Sequence, residues 1–445
     1  MSTQKADLIQ ERTERTKWFL NERFGMFIHW GLYAIPARGE WIRSNENISV
    51  EDYQKYFDEF DPVDYNPREW AKAAKKAGMK YVVLTAKHHE GFCLFDSKLT
   101  EYKSTNTKAG RDLVSEFLEA FRAEGLKVGL YYSIIDWYHE DYPAYGDKFH
   151  PMKNNENFKR DPQNFGRYVD YMHGQIRELL TNYGKLDIMW FDFSYDTMRG
   201  EKWRATELME MMRELQPHIV IDNRLEGSSE GGGTMYTNDP TTYAGDFASP
   251  EQIIPPGGIV AHDGTPLPWE ACVTLNNNWG YAAADHYYKK PATIIRKLVE
   301  CVSKNGNMLL NVGPDAKGNI PKESLDILSE VGDWMSRNGS SIYGCGASEL
   351  PKPEWGRYTQ RGNKLYAHVF EESIGPINLA GLAGKLRTAR LLSDGSELIL
   401  SRPWNTAEFV NDAYVNFTRQ DSLSFPLPDP RNTVIELELL ETKSE

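Results

Sequence analysis

One unit recurs through the first 350 residues and decides what this chain can fold into: an amphipathic helix, a glycine, a lysine or similar residue, then a short apolar strand. Asn66-Pro67 reads as N-cap and first turn of one such helix. Trp70, Ala73, Ala74 and Ala77 supply its i, i+3, i+4, i+7 stripe, Gly78 ends it, and a strand follows over 80–86. The unit repeats as helix 112–124, Gly125 and strand 127–132, then as helix 168–183, Gly184 and strand 185–192. Helix 207–215 leads into strand 218–222, and helix 291–304 into strand 307–312. Strands apolar on both faces and alternating with helices imply a parallel sheet covered by helices. An open doubly wound sheet usually carries a phosphate-binding glycine loop after its first strand. Here the first strand runs into Gly31-Leu32-Tyr33-Ala34-Ile35-Pro36, which is no such loop. The expected fold is therefore α/β, with a (β/α)8-type barrel over residues 1–350. After Gly344 the pattern changes to short runs at 365–370, 388–392, 397–400 and 433–439, separated by Gly, Pro, Asn and Asp. These predict a small C-terminal β-sandwich over 351–445, hinged near Leu350-Pro351-Lys352-Pro353.

Two stretches break the rhythm, 136–165 and 227–267, and long aperiodic loops inside a compact domain usually serve a site. The net charge of −13 argues against a nucleic-acid backbone or an anionic membrane as partner. No apolar run approaches the ~18 residues of a membrane span. Residues 1–15 hold no apolar signal-peptide segment, so a cytoplasmic location is expected. Cys93, Cys272, Cys301 and Cys345 show no Cys-x-x-Cys spacing, hence neither a disulfide framework nor a zinc knuckle. The 12 Trp, 24 Tyr and 19 Phe exceed what a core requires, and spare rings suit the C–H faces of sugars.

Polar side chains gather where these strands end, the place where a barrel keeps its chemistry. The run Leu186-Asp187-Ile188-Met189-Trp190-Phe191-Asp192 closes on a carboxylate, and burying one unpaired costs several kcal/mol, so its charge has a use. Asp187 opens the strand and belongs at the barrel bottom, while Asp196 lies in the following loop and is solvated. Alternation puts Trp190 on the same face as Asp192. His29, His88 and His89 also sit at strand exits. Adjacent histidines on an extended segment point to opposite sides, which is poor for chelating one metal, so no metal or cofactor is expected and ligand hydroxyls are the better partners. Arg224 ends another strand and could clamp a ligand oxygen, hold a carboxylate, or pair with Asp222 or Glu226. Glu40-Trp41 forms an acid–aromatic pair at the rim.

At these residues the chain resembles the α-L-fucosidases of glycoside hydrolase family 29. The likeness runs from about Trp18 to Gly344. It passes through Phe24-Gly25-Met26-Phe27-Ile28-His29-Trp30-Gly31, Lys87-His88-His89-Glu90-Gly91-Phe92-Cys93-Leu94, Gly129-Leu130-Tyr131-Tyr132-Ser133, Met189-Trp190-Phe191-Asp192 and Leu309-Leu310-Asn311-Val312-Gly313-Pro314. The resemblance implies a retaining exo-enzyme acting on fucosylated oligosaccharides, with Asp192 as nucleophile. It implies that His29, His88, His89, Tyr131, Trp190 and Arg224 bind fucose, with Glu40, Trp41 and Trp279 completing the pocket. The segment 245–252 resembles the region carrying the acid/base, which makes Glu251 the choice over Glu270 and Glu40. Such a pair must lie about 5–5.5 Å apart across the bond. Asp192 must be ionised, aided by a cation such as Arg224, and Glu251 must start protonated through burial or the Asp192 charge. Competing readings are a fucose-binding protein without catalysis, a metal-dependent hydrolase using the three histidines, and a glycosidase for another L-galacto-configured sugar. A homo-oligomer is left open.

Overall fold

The computed structural model of the protein describes residues 3–228, 231–401, 404–417 and 426–440. Ser229 and Glu230 of the second long loop lie outside them. In chain order the elements are α1 (Thr3–Glu22), β1 (Phe24–Ile28), α2 (Ile42–Asn45), α3 (Val50–Glu59), α4 (Pro67–Lys76), β2 (Tyr81–Lys87), α5 (Leu113–Ala123) and β3 (Lys127–Ser133). There follow α6 (Phe165–Asn182), β4 (Ile188–Asp192), α7 (Ala205–Leu215), β5 (Val220–Ile221), β6 (Glu270–Thr274), α8 (Pro291–Val302), β7 (Asn307–Val312) and α9 (Lys322–Asn338). Strands β1 to β7 form one parallel sheet in the order β5-β4-β3-β2-β1-β7-β6.

The helix signals act as the sequence suggests. Asn66 caps α4 by accepting from the Arg68 N–H, Pro67 occupies its first turn, and Asp112 caps α5 by accepting from Ser115 N–H. The buried face of α4 is Pro67, Trp70, Ala71 and Ala74, so Ala71 packs inward and the expected Ala73 is only half-buried. Gly78 follows at φ +86, a left-handed turn that glycine adopts without strain.

Alternation along the strands divides the apolar residues between two cores. Phe27, Tyr81, Val83, Tyr131, Ile188, Trp190, Val220, Cys272 and Leu309 fill the inside of the curled sheet. Met26, Val82, Leu84, Val128, Leu130, Met189, Ile221 and Leu310 pack outward against the helices. Gly25 is needed where β1 crosses Tyr81, because a Cβ there would stand 2.2 Å from the ring.

The sheet differs from expectation at its edges. Strand β6 was not anticipated, because its opening Glu270 disguises an otherwise apolar run; the carboxyl is tolerated by being hydrogen-bonded inside the sheet. An eighth strand is not formed among the described residues. Instead 247–251 joins β5 to β6 through isolated parallel bridges, Phe247 with Asp222, Ala248 with Trp269 and Glu251 with Cys272. Pro250 lacks an N–H there, and Gly245 at φ +77 turns the chain tightly against the Asp222 carbonyl, so no regular ladder can run through.

Beyond β7 and α9 the chain forms only strands: β8 (Gly356–Arg361), β9 (Lys364–Val369), β10 (Ile377–Leu379), β11 (Leu386–Leu391), β12 (Ile399–Ser401), β13 (Ala413–Asn416) and β14 (Thr433–Leu439). They make two antiparallel sheets, β11-β14-β9-β8 and β10-β13-β12, whose side chains share a second core around Leu365, Ile377, Val415 and Ile435. Trp334 Nε1 on α9 donates to Asn432 O at 2.9 Å, tying these sheets to the helical layer.

Candidate active site

The C-terminal ends of the parallel strands converge on one cavity. Its walls contain His29, Trp41, His88, His89, Tyr131, Trp190, Asp192, Arg224, Glu251 and Trp279. The structure thus brings together every residue assigned a role on the sugar from sequence except Glu40.

Asp192 ends β4 with each oxygen held. Tyr131 OH donates to Oδ2 at 2.8 Å, and Arg224 Nη1 donates to Oδ1 at 2.7 Å. The same guanidinium donates through Nη2 to Glu251 Oε2 at 3.0 Å. Two carboxylates therefore flank one cation. Arg224 is aimed by Ser249, which accepts from Nε at 3.0 Å through its hydroxyl and from Nη2 at 3.1 Å through its carbonyl. Its guanidinium carbon lies 4.6 Å from the Trp190 ring, a cation–π contact. Burial works against the Arg224 charge, but Asp192 and then Glu251 outweigh it and hold its pKa well above the ordinary value. Burial, then the Asp192 charge, likewise raises the Tyr131 phenol well above its usual range, so it remains a donor. Arg224 touches neither of its expected alternatives: Asp222 Oδ1 accepts from Phe191 N at 2.9 Å, and Glu226 is taken up by Thr234 and Thr241. Asp187 accepts from Val128 N at the strand's start, and Asp196 is exposed, both as expected.

Several expectations need correction. His88 and His89 do not point to opposite sides; their ring centroids are 4.1 Å apart and both face the cavity. Strand β2 ends at Lys87 after a register shift between Thr85 and Lys87, so the alternation rule no longer governs the two histidines. Burial lowers both His29 and His89 well below the ordinary histidine range, so both rings are neutral. Glu40 is buried behind the wall, where Oε2 accepts from Gly280 N at 2.8 Å and braces the Trp279 turn. Glu251 is neither buried nor on a free loop. Its side chain is 43% exposed, and its backbone is stitched to β6 through Gln252 N to Cys272 O (2.9 Å) and Cys272 N to Pro250 O (3.1 Å). Glu270 lies inside the sheet at the start of β6, accepting from Trp190 Nε1 at 3.3 Å and from Tyr81 OH, so it cannot meet a leaving group in the cavity. Burial pushes it up to about 8.

Sequence reasoning missed Phe27, Phe193 and Cys272 in the wall. Phe27 was within reach, since it lies two residues before His29 on one strand face. Phe193 was not, because it turns into the cavity at φ +87, a strained conformation directly after Asp192. Its N–H and that of Ser194 both donate to Ser228 Oγ, which holds the turn. The first long loop supports the same wall, with Trp137 N donating to His89 O at 2.8 Å and Phe149 packed on Phe193 at 4.8 Å. Among the described residues no three His, Cys, Asp or Glu side chains are grouped to hold a metal ion, and no helix is long and apolar enough to cross a membrane.

Comparison with known proteins agrees with this geometry. The family model described as Alpha-L-fucosidase matches residues 2–340. An alpha-L-fucosidase of Dictyostelium discoideum is 30% identical over 392 residues, covering 80% of this chain and 77% of that protein. The structure of alpha-L-fucosidase isoenzyme 1 from Paenibacillus thiaminolyticus superposes with a TM-score of 0.93 at 64% identity, covering 97% of this chain and 100% of the other. A family 29 α-L-fucosidase from Bacteroides thetaiotaomicron, trapped as a covalent intermediate with 2-fluoro-fucosyl fluoride in a Glu-to-Gln mutant, has a TM-score of 0.80 at 29% identity, with 96% of each chain covered.

Proposed function

We infer the working parts of the site from one premise: the chain belongs to the α-L-fucosidases of glycoside hydrolase family 29 and hydrolyses terminal α-L-fucosyl linkages with retention. Its substrate is a fucosylated glycan. Asp192 is then the nucleophile and Glu251 the general acid and base. The observation that carries this reading is the single guanidinium of Arg224 held between the two carboxylates.

In the first step Asp192 attacks the anomeric carbon from the β face while Glu251 gives its proton to the departing glycosidic oxygen. Once Asp192 is esterified its charge is gone, and Arg224 is left with Glu251 as its sole anionic partner. Having given up its proton in the first step, Glu251 takes one from water in the second. Expulsion of Asp192 restores its charge against Arg224 and Tyr131. His29, His88, His89 and Trp190 hold the sugar, with Trp41 and Trp279 as its aromatic walls. Glu40 acts through Trp279 rather than on the sugar. We read residues 1–350 as the catalytic unit, a (β/α)8-type barrel in which 247–251 stands for the eighth strand. Residues 351–445 are read as a β-sandwich.

The test is product stereochemistry. Asp192→Ala should lose turnover and, with azide, yield β-fucosyl azide. Glu251→Ala with azide should yield the α anomer, because the covalent step survives. Near-normal turnover by Asp192→Ala would sink the assignment.

A further inference from the structure

The three pocket histidines share a feature that the double-displacement scheme does not use. Each has its Nδ1 turned away from the cavity toward a protein acceptor, and among the described residues none of the three Nε2 atoms bonds to protein. For His29 the direction of the bond is fixed. Asn311 Nδ2 donates to Trp279 O at 2.7 Å, so the atom facing His29 Nδ1 at 2.7 Å is the Asn311 carbonyl oxygen, which only accepts. For His89 the partner is Ser133 Oγ at 2.7 Å, whose one proton is committed to Ile135 O at 2.8 Å. Nδ1 of His89 must therefore donate. For His88 the partner is Glu90, with Oε2 3.4 Å from Nδ1 and both side chains almost wholly buried. Neither atom makes a protein hydrogen bond among the described residues, the 3.4 Å approach included, and leaving either unpaired costs about 1–3 kcal/mol. Space for the Glu90 carboxyl is kept by Gly31, where a Cβ would press within 3.0 Å of Oε1. A long contact of this kind tightens when a ligand fills the site.

Resting on the fucosidase reading, we propose that Glu90, Asn311 and Ser133 are positioning residues that hold His88, His29 and His89 as Nδ1–H tautomers. The pocket then offers three Nε2 acceptors and recognises its sugar through hydroxyl groups acting as donors. Fucose carries three ring hydroxyls free to donate, one for each acceptor. The chemistry selected is a polyol edge, and a substituent that can only accept is refused at each of the three positions.

Selective 15N-histidine labelling of the full-length enzyme reads the tautomers directly, with signals assigned through single His→Gln variants. All three rings should carry the proton on Nδ1 and a bare Nε2. In Glu90→Leu the acceptor for Nδ1–H is gone, so His88 alone should shift toward Nε2–H. KM for an aryl α-L-fucoside should then rise about tenfold while kcat changes much less. Unchanged His29 and His89 signals establish that the variant is folded. Competitive inhibitors with one ring hydroxyl replaced by fluorine should bind as weakly as their deoxy counterparts, since fluorine cannot donate. A wild-type His88 protonated on Nε2, or a Glu90→Leu enzyme with wild-type tautomers and KM, overturns the proposal. Failure of the wild-type protein to release nitrophenol from an aryl α-L-fucoside would instead strike at the fucosidase reading, leaving the tautomers as found.

Discussion

Replacing Tyr131 by Phe removes one oxygen and leaves the ring stacked between His88 (5.6 Å, 16° between planes) and Trp190 (6.1 Å, 23°). What is lost is the 2.8 Å hydrogen bond from the phenol to Asp192 Oδ2. A hydrogen bond to a charged group contributes about 1.5–3 kcal/mol. The carboxylate gives up its charge as it bonds to the sugar, so the phenol holds back the first step and assists the second, in which the charge returns. With the charge half developed at each transition state, about 0.8–1.5 kcal/mol is at stake, slowing release of the fucosyl-enzyme about 4- to 12-fold. Stopped-flow release of nitrophenol from an aryl α-L-fucoside separates the two steps. Tyr131→Phe should show a burst equal to the enzyme concentration, a lower kcat, a lower KM and an undiminished kcat/KM. A kcat/KM that falls in parallel with kcat would refute the reasoning, because it would mean that the phenol stabilises both transition states alike.

Further expectations concern the other acids. Glu251→Ala should impair substrates with poor leaving groups far more than aryl fucosides, read as a steepened dependence of rate on leaving-group acidity; the same steepening in Glu270→Ala instead would transfer the acid/base role. Burial, against the hydrogen bonds from Tyr81 and Trp190, pushes Glu270 up to about 8 in the folded state. The folded protein therefore keeps a proton that the unfolded chain releases near the ordinary carboxyl pKa. The associated stability is whole at acid pH and is lost as pH rises toward 8, by roughly 5 kcal/mol. Denaturant unfolding of wild type and Glu270→Gln at pH 5 and pH 8 should show the variant gaining on the wild type at the higher pH, and parallel curves would contradict this. Glu40→Ala removes the acceptor from Gly280 N, which should cost about 1–3 kcal/mol of stability and raise KM by loosening Trp279. Glu40→Gln, whose amide oxygen still accepts, should restore both.

The helix–glycine–strand rhythm was legible because it is local. Caps such as Asn66 and Asp112, and the left-handed turn at Gly78, depend on a few neighbouring residues and act the same wherever the chain travels. Strand β6 escaped because Glu270 interrupts its apolar run, and partners far along the chain, Tyr81 and Trp190, make that carboxyl acceptable inside the sheet. The histidine pair was misjudged for a related reason: alternation holds only inside a strand, and nothing local announces that β2 stops at Lys87.

The sequence by itself determined the alternating architecture and the strand ends that carry polar groups. These follow from periodicity, capping and the quoted motifs, all readable over a few residues. Tertiary structure alone decided that Arg224 spans Asp192 and Glu251 and that Glu40 stands behind the wall. It also turned three imidazoles to face the same cavity with the same nitrogen. Such relations join side chains that are distant in sequence, and their directions are fixed only when strands from across the sheet bring donors and acceptors within hydrogen-bond reach.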